Sequence, residues 1–247
     1  MTTNLKAPEV HSETIKCIEH LMDANPKIAS IAVVTITRPA PLQERLEFNS
    51  TEKKHFQETL ETRSKTGLPF WDCLLLESFG RVTVSDRLLN EVKFHQSNHG
   101  KEIWIARQDA LDGALRTLKL NHEGDRMLSV LSEVRLIDGT SKQFIFLDFH
   151  IPVSSENTLI VEKVTRRLLS YPAFIIESGA SYHVIGTKLV NDEEFRKTLT
   201  TALLFGPITD RAYITHQLLE GRAALRVSKG GHCNSLPTLL MMTYLGA

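Results

Sequence analysis

The chain has 247 residues, 42% of them hydrophobic, with 29 Lys and Arg against 29 Asp and Glu. This is the profile of a folded globular protein, and it excludes a disordered tail, a collagen-like repeat and a disulfide scaffold. Residues 1–146 carry 19 basic and 20 acidic side chains and residues 147–247 carry 10 and 9, so binding to a polyanion has to come from a local patch.

Ser12 opens a helix over residues 12–22, with Ile15, Ile18, Leu21 and Met22 at helical spacing and Pro26 beyond its end. Residues 28–37 are β-branched and read as a buried strand stopped by Pro39 and Pro41. A polar, charge-rich helix follows at 51–64, then a strand at 71–79 and a short helix at 85–93. Residues 102–106 read as a strand leading into a helix around 109–120. Strands at 127–137 and 142–149 flank Asp138-Gly139, the signature of a two-residue hairpin turn. Beyond them come a helix at 156–169, strands at 173–177 and 182–186, helices at 192–204 and 210–219, and a last strand at 223–228.

Irregular mixing of strands and helices with at least one hairpin predicts an α+β fold: a mixed, mostly antiparallel sheet with flanking helices. Polar residues and Gly124 at 121–125 place a soft boundary between residues 1–125 and 126–247, within what reads as one compact unit. Cys17, Cys73 and Cys233 are far apart, with no CxxC pair and no apolar leader before them, which predicts a soluble cytoplasmic protein without a structural zinc finger. Apolar runs such as 31–36 and 144–147 are far shorter than the roughly 20 residues of a membrane helix.

Three segments in the last hundred residues are candidates for chemistry. In Phe144-Ile-Phe-Leu-Asp-Phe-His150 an aspartate ends an apolar strand, where burial is costly without a partner or a cation. Asp148 and His150, two apart, share a face and could ligate metal or act as acid and base; alternatively Asp148 caps the next turn. In Phe174-Ile-Ile-Glu-Ser-Gly-Ala-Ser-Tyr-His-Val-Ile-Gly186, Ser181 and His183 share one face beyond a small-residue turn and could hold phosphate, or form a plain hairpin with a core histidine. Between Asp210 and His232, Arg211, Arg222, Arg226 and Lys229 outnumber Glu220, and Ser228-Lys229-Gly230-Gly231 could cradle phosphate, or the arginines are surface residues.

The order of these segments carries more than any one of them. An aspartate closing an apolar strand, a helix, Ser-Gly-x-Ser-x-His, Asp210, then Leu225-Arg226-Val227-Ser228-Lys229 resembles the catalytic core of the archaeo-eukaryotic primase superfamily, the primase-polymerases, and within it the primase 1D-like group. The resemblance covers roughly residues 130–240 and leaves 1–125 as an N-terminal α/β elaboration of unknown role. It implies Asp148 and Asp210 as metal-binding catalytic acids for Mg²⁺ or Mn²⁺. It implies His183, with Ser181, against the phosphates of the incoming nucleotide, and Arg226 and Lys229 near the triphosphate or template. It also implies nucleoside triphosphates and single-stranded DNA as partners, with a helicase or other replication protein alongside.

One position departs from the family. Its first motif usually reads Asp-x-Asp, and here the second acid is His150, which adds no charge and suits Mn²⁺ better than Mg²⁺. Glu177 could replace the missing acid only if the sheet turned it to the same face. The sequence therefore supports a metal-dependent nucleotidyltransferase working on a DNA template, or a catalytically degenerate relative that binds nucleotide or nucleic acid. A metal-dependent hydrolase built from Asp148, His150, His183 and His216 is a third reading, without a spaced signature of its own.

Overall fold

In the computed structural model, residues 13–37, 40–80, 85–93, 102–118, 126–229 and 235–243 are described. They divide into two units, Met1–Arg38 with Asn98–Ala247, and Pro39–Ser97.

The larger unit is organised around β1 (Ile28–Thr37), where Ile31, Ala32, Val33 and Val34 are all at most 1% exposed. A strand buried on both faces reads as a continuous apolar run, which is why alternation is absent here. β1 lies between β2 (Ile103–Ala106) and the long β3 (Arg126–Leu136), antiparallel to both. β4 (Ser141–Gln143) extends this sheet beside β3, and β8 (Ala224–Arg226) also pairs with β3, through Ser129–Arg226 and Val130–Leu225. The residues read as an N-terminal elaboration thus complete a sheet whose other strands come from the second half of the chain.

A second antiparallel sheet has the order β5-β7-β6-β9, from β5 (Phe146–Asp148), β6 (Ala173–Glu177), β7 (Tyr182–Gly186) and β9 (Thr238–Met242). One apolar core joins the sheets: Ile31, Val33, Val130 and Val134 from the first, Phe146, Ile175 and Val184 from the second. α1 (Glu13–Ala24), α8 (Ser155–Leu168), α9 (Asp192–Ala202) and α10 (Arg211–Glu220) add Ile18, Val161, Phe195 and Ile214 to it. The expected α+β architecture with antiparallel sheets is the one found.

Three local expectations are corrected in this unit. Residues 142–149 are two strands in different sheets, because the buried pair Phe144-Ile145 carries the chain from β4 to β5. The Asp138 turn has three residues, Ile137–Gly139, closed between Leu136 and Thr140, with Gly139 at φ 83° and the Asp138 carboxylate accepting from Thr140 N (2.9 Å). Gly139 occupies the left-handed position that ends such a three-residue loop. The helix expected at 109–120 is broken at Gly113 (φ 97°) into α6 (Arg107–Leu111) and α7 (Ala114–Thr117). Its expected end at Leu120 lies outside the described residues.

The smaller unit is helical: α2 (Leu42–Arg45), α3 (Ser50–Thr66), α4 (Phe70–Glu77) and α5 (Asp86–Val92). α3 starts with a reciprocal cap between Asn49 and Glu52, and Glu52 also accepts from Ser85, the N-cap of α5. α4 stands where a strand was expected. It contains no β-branched residue, starts after Pro69, and buries Cys73 and Leu74 while Leu75 and Leu76 stay exposed. A short apolar run alone does not separate strand from helix.

Cys17 and Cys73 are buried free thiols, one in each unit, and Cys233 lies outside the described residues. Burial, and secondly the charge of Glu13, pushes the Cys17 thiol up to about 12. No described helix is long and apolar enough to cross a membrane.

Candidate active site between the two sheets

The pairing of β5 with β7 sets the first half of the site. Phe146, Leu147 and Asp148 lie opposite Ile185, Val184 and His183. Side chains directly opposite in an antiparallel pair share a face, so Asp148 and His183 are neighbours, with Oδ1 and Nε2 3.9 Å apart. On β6 the residue opposite His183 is Ile176, and Glu177 lies opposite Tyr182. Alternation therefore sends Glu177 to the other face of the sheet, and it does not replace the missing acid.

The second half of the site comes from the chain after β5. Phe149 bridges to Thr209, His150 N donates to Ile208 O (2.8 Å) and Asp210 N donates to Asp148 O (2.9 Å). This short ladder lays residues 148–150 along 208–210. Asp210 is the N-cap of α10: Oδ1 accepts from Tyr213 N (2.9 Å), and Oδ2 is 3.6 Å from His150 Nδ1. On the opposite face, the Tyr182 hydroxyl accepts from Ser154 N (2.8 Å) and donates to Ser154 O (2.9 Å), which fixes the chain between His150 and α8.

Burial and charge act differently on each group. The Asp148 carboxyl is pushed well above the usual carboxylate range, by burial first and by the charge of Asp210 second. Phe149 N–H, His150 and Arg226 oppose the rise without cancelling it. His183 is lowered to about 3, by burial and then by the Arg226 charge, so its imidazole is neutral at pH 7. Asp210 is also raised by burial, but its hydrogen bonds from His150, Tyr213 and Ala212 win and hold it below its ordinary value. The Tyr213 hydroxyl, pushed well above its ordinary value by burial and by Asp148 and Asp210, stays protonated and donates to Ala224 O (3.1 Å).

Two buried atoms in this group have no hydrogen-bond partner: Asp148 Oδ1 and His183 Nδ1. A buried polar atom without a partner costs about 1–3 kcal/mol, and buried polar groups are normally paired with protein, water or ligand.

The Ser178–Ser181 turn stands at the end of the β6–β7 hairpin, closed by Ser178 N donating to Ser181 O (2.9 Å), with the two hydroxyls 3.3 Å apart. Gly179 is at φ 115°, which only glycine adopts without strain, and a Cβ there would be 2.8 Å from Ser235 Oγ. Arg226, at the end of β8 in the other sheet, is 8% exposed and donates to the main-chain carbonyls of Ser178, Ser228 (2.6 Å) and Ser235 (2.9 Å). Lys229, three residues on, is exposed.

The fold thus gathers Asp148, His150, His183 and Asp210, sets Arg226 behind the turn that bears Ser181, and leaves Lys229 at the surface. Among the described residues no three His, Cys, Asp or Glu side chains are placed to hold one metal ion together, which applies to the trio Asp148, His150 and Asp210 as well as to the four-ligand hydrolase set with His216. Tyr213, in electrostatic reach of both aspartates, was not singled out from sequence; its place three residues after a capping aspartate was the signal available.

No curated protein and no solved structure matches the chain. The model of the family described as archaeo-eukaryotic primase 1D-like matches residues 108–235, which is 128 of the 247 residues and takes in β3 through β8 with every residue of the site. The chain belongs to the archaeo-eukaryotic primase 1D-like family.

Proposed function

We propose that the protein is a primase-type nucleotidyltransferase that adds nucleotides along a single-stranded DNA template, with Asp148 and Asp210 as the carboxylates that hold Mg²⁺ or Mn²⁺. The observation that carries this reading is the buried, unpartnered Asp148 Oδ1 under the repulsion of Asp210. Two like charges in a partly desolvated site are relieved by a cation or by a proton. The set fits an ion with two carboxylate ligands that takes its remaining oxygens from a triphosphate, as Mg²⁺ commonly does. Bound there, the ion supplies positive charge against the phosphates and lowers the pKa of an attacking hydroxyl.

The remaining roles belong to the chain's own side chains. His183, neutral, offers one ring N–H to a phosphate oxygen, and Ser181 offers a hydroxyl from the neighbouring turn. Lys229 provides an exposed cation, with Arg226 set behind the turn. Asp210 holds its orientation because its other oxygen is fixed on the α10 N-terminus. Tyr213, protonated, keeps α10 against β8 through Ala224. Holding the triphosphate in line for attack is where such sites gain most of their rate.

A second reading has an observation of its own. His150 stands at the second acid position and engages Asp210 at 3.6 Å, so a full two-metal set of acids is missing. On this reading the protein binds nucleotide or single-stranded DNA without turnover.

Primer extension and de novo synthesis on single-stranded DNA, with ribo- or deoxyribonucleotides and Mg²⁺ or Mn²⁺, separate the two. Product from the wild type that disappears in Asp148→Ala supports the enzyme. No product from the wild type, with activity gained by His150→Asp, supports the binding protein. Silence from every variant, without nucleotide binding, overturns both.

A further inference from the structure

We infer that Arg226 is a positioning residue, a buried clamp that ties the β6–β7 turn of one sheet to the β8 end of the other and acts on the nucleotide by placing Ser181 and His183 rather than by touching it. The inference rests on the proposed nucleotide site. The family resemblance places this position near the triphosphate or template; the inference gives it no contact with either.

Three observations support it. Nη1 of a guanidinium carries two hydrogens, and here they go to Ser228 O and Ser235 O, while Nη2 donates to Ser178 O. Those carbonyls lie on separate segments, and Ser178 directly follows β6 of the second sheet while Arg226 ends β8 of the first. The turn also packs directly on this cluster: a Cβ at Gly179 would be 2.8 Å from the Ser235 hydroxyl and 3.9 Å from Arg226 Nη2.

The planar fork is what this task needs. An ammonium at residue 226 presents its hydrogens around a single point, so it cannot serve carbonyls spread across a fork. Burial of the charge is tolerated because the carbonyls solvate it. Ser178 is held on the acceptor side by Arg226 and on the donor side by Ser181 O, so the turn has one position. His183, two residues beyond Ser181, takes its place from that turn and from β5.

Two measurements test the clamp. The first is amide hydrogen exchange on the nucleotide-free protein, wild type against Arg226→Lys. The Ser178–His183 amides are expected to exchange about tenfold faster in the variant, the loss of one charge-assisted hydrogen bond. Peptides from β1 and α8 are expected to be unchanged. Unchanged exchange in the turn overturns the clamp.

The second is a double-mutant cycle on triphosphate binding with His183→Ala. Arg226→Lys is expected to weaken binding about tenfold with His183 present and less than about threefold without it, because coupled residues are non-additive. Full additivity means that Arg226 meets the phosphates by itself, and overturns the inference. If Arg226→Lys does not fold, Arg226→Met, which keeps the long stem and removes every donor together with the buried charge, is read in the same two ways. If the wild type binds no nucleotide, the proposed function fails, and hydrogen exchange still decides whether the clamp exists.

Discussion

Asp148 and His183 face one another across the β5–β7 pair, Oδ1 and Nε2 3.9 Å apart, which is too far for a hydrogen bond. Burial drives the carboxyl up and the imidazole down, so both groups favour their uncharged forms. At neutral pH the pair sits in buried surroundings that penalise the Asp148 charge.

Asp148→Asn is expected to stabilise the protein while ending any nucleotide addition. A carboxyl whose folded pKa is raised contributes stability at low pH and loses it as pH rises through that raised value. At pH 7.5 in chelator, removal of the charge is expected to raise the melting temperature by about 2–4 °C, the equivalent of roughly 1 kcal/mol in a chain of this size. At pH 4 the difference closes. A lower melting temperature for the variant at pH 7.5 contradicts the account.

His183 acts in the opposite sense. Its folded pKa of about 3 lies below the ordinary 6.5, so its contribution is present above pH 6.5 and drains away as pH falls toward 3. His183→Gln is expected to flatten the decline in melting temperature over that window. Parallel curves for variant and wild type would show that the imidazole is not held neutral by burial.

Asp210 combines two roles that one pair of variants separates. Asn caps a helix about as well as Asp, whereas Ala leaves the Tyr213 N–H unpaired at a cost of about 1 kcal/mol. Asp210→Asn is expected to keep the wild-type melting temperature to within about 2 °C and Asp210→Ala to lower it by about 2–4 °C. Both are expected to lose primer extension, since neither supplies the charge. Extension surviving in Asp210→Asn would remove this carboxylate from the metal site.

His150→Asp replaces the imidazole beside Asp210 with a third carboxylate. Without divalent ions the variant is expected to melt lower than wild type, because like charges in a half-buried cluster repel. Titration with Mg²⁺ is expected to restore it, and by a larger margin than Mg²⁺ stabilises the wild type. Equal responses from the two proteins would mean that residue 150 does not face the ion.

Much of the fold was legible where local chemistry decides. β1, β6 and β7 begin and end as the sequence indicates, since β-branched or apolar runs there are cut by proline, serine or glycine. Ser154, Asn191 and Asp210 start their helices as capping residues should. The division of residues 142–149 between two sheets was not legible, because it depends on partners far away in the chain. β9 escaped notice because its Leu-Leu-Met-Met run has no β-branched residue and pairs with β6 only through tertiary context.

The site divides in the same way. Asp148 and His183 stand out in the sequence as an acid and an imidazole in apolar strands, whereas Asp210, a helix N-cap, is pointed to only by the family resemblance. Arg226 could be read as a cation but not as a clamp, because the carbonyls it serves have no residue signature. That Glu177 turns away follows from sheet register, which a single strand does not contain.

The helical unit at 39–97 lies in sequence between the adjacent strands β1 and β2. A ribosome releases the chain from its N-terminus, so this order sets a timetable. Ile31 emerges early, and its partners Ile105 and Val134 emerge only after the whole helical unit. The helices can close on contacts near in sequence, while β1 waits with an apolar surface that has nowhere to pair. The strand on which the larger sheet is centred is thus made before the helical unit and seated after it, and in that interval its apolar surface is open to aggregation.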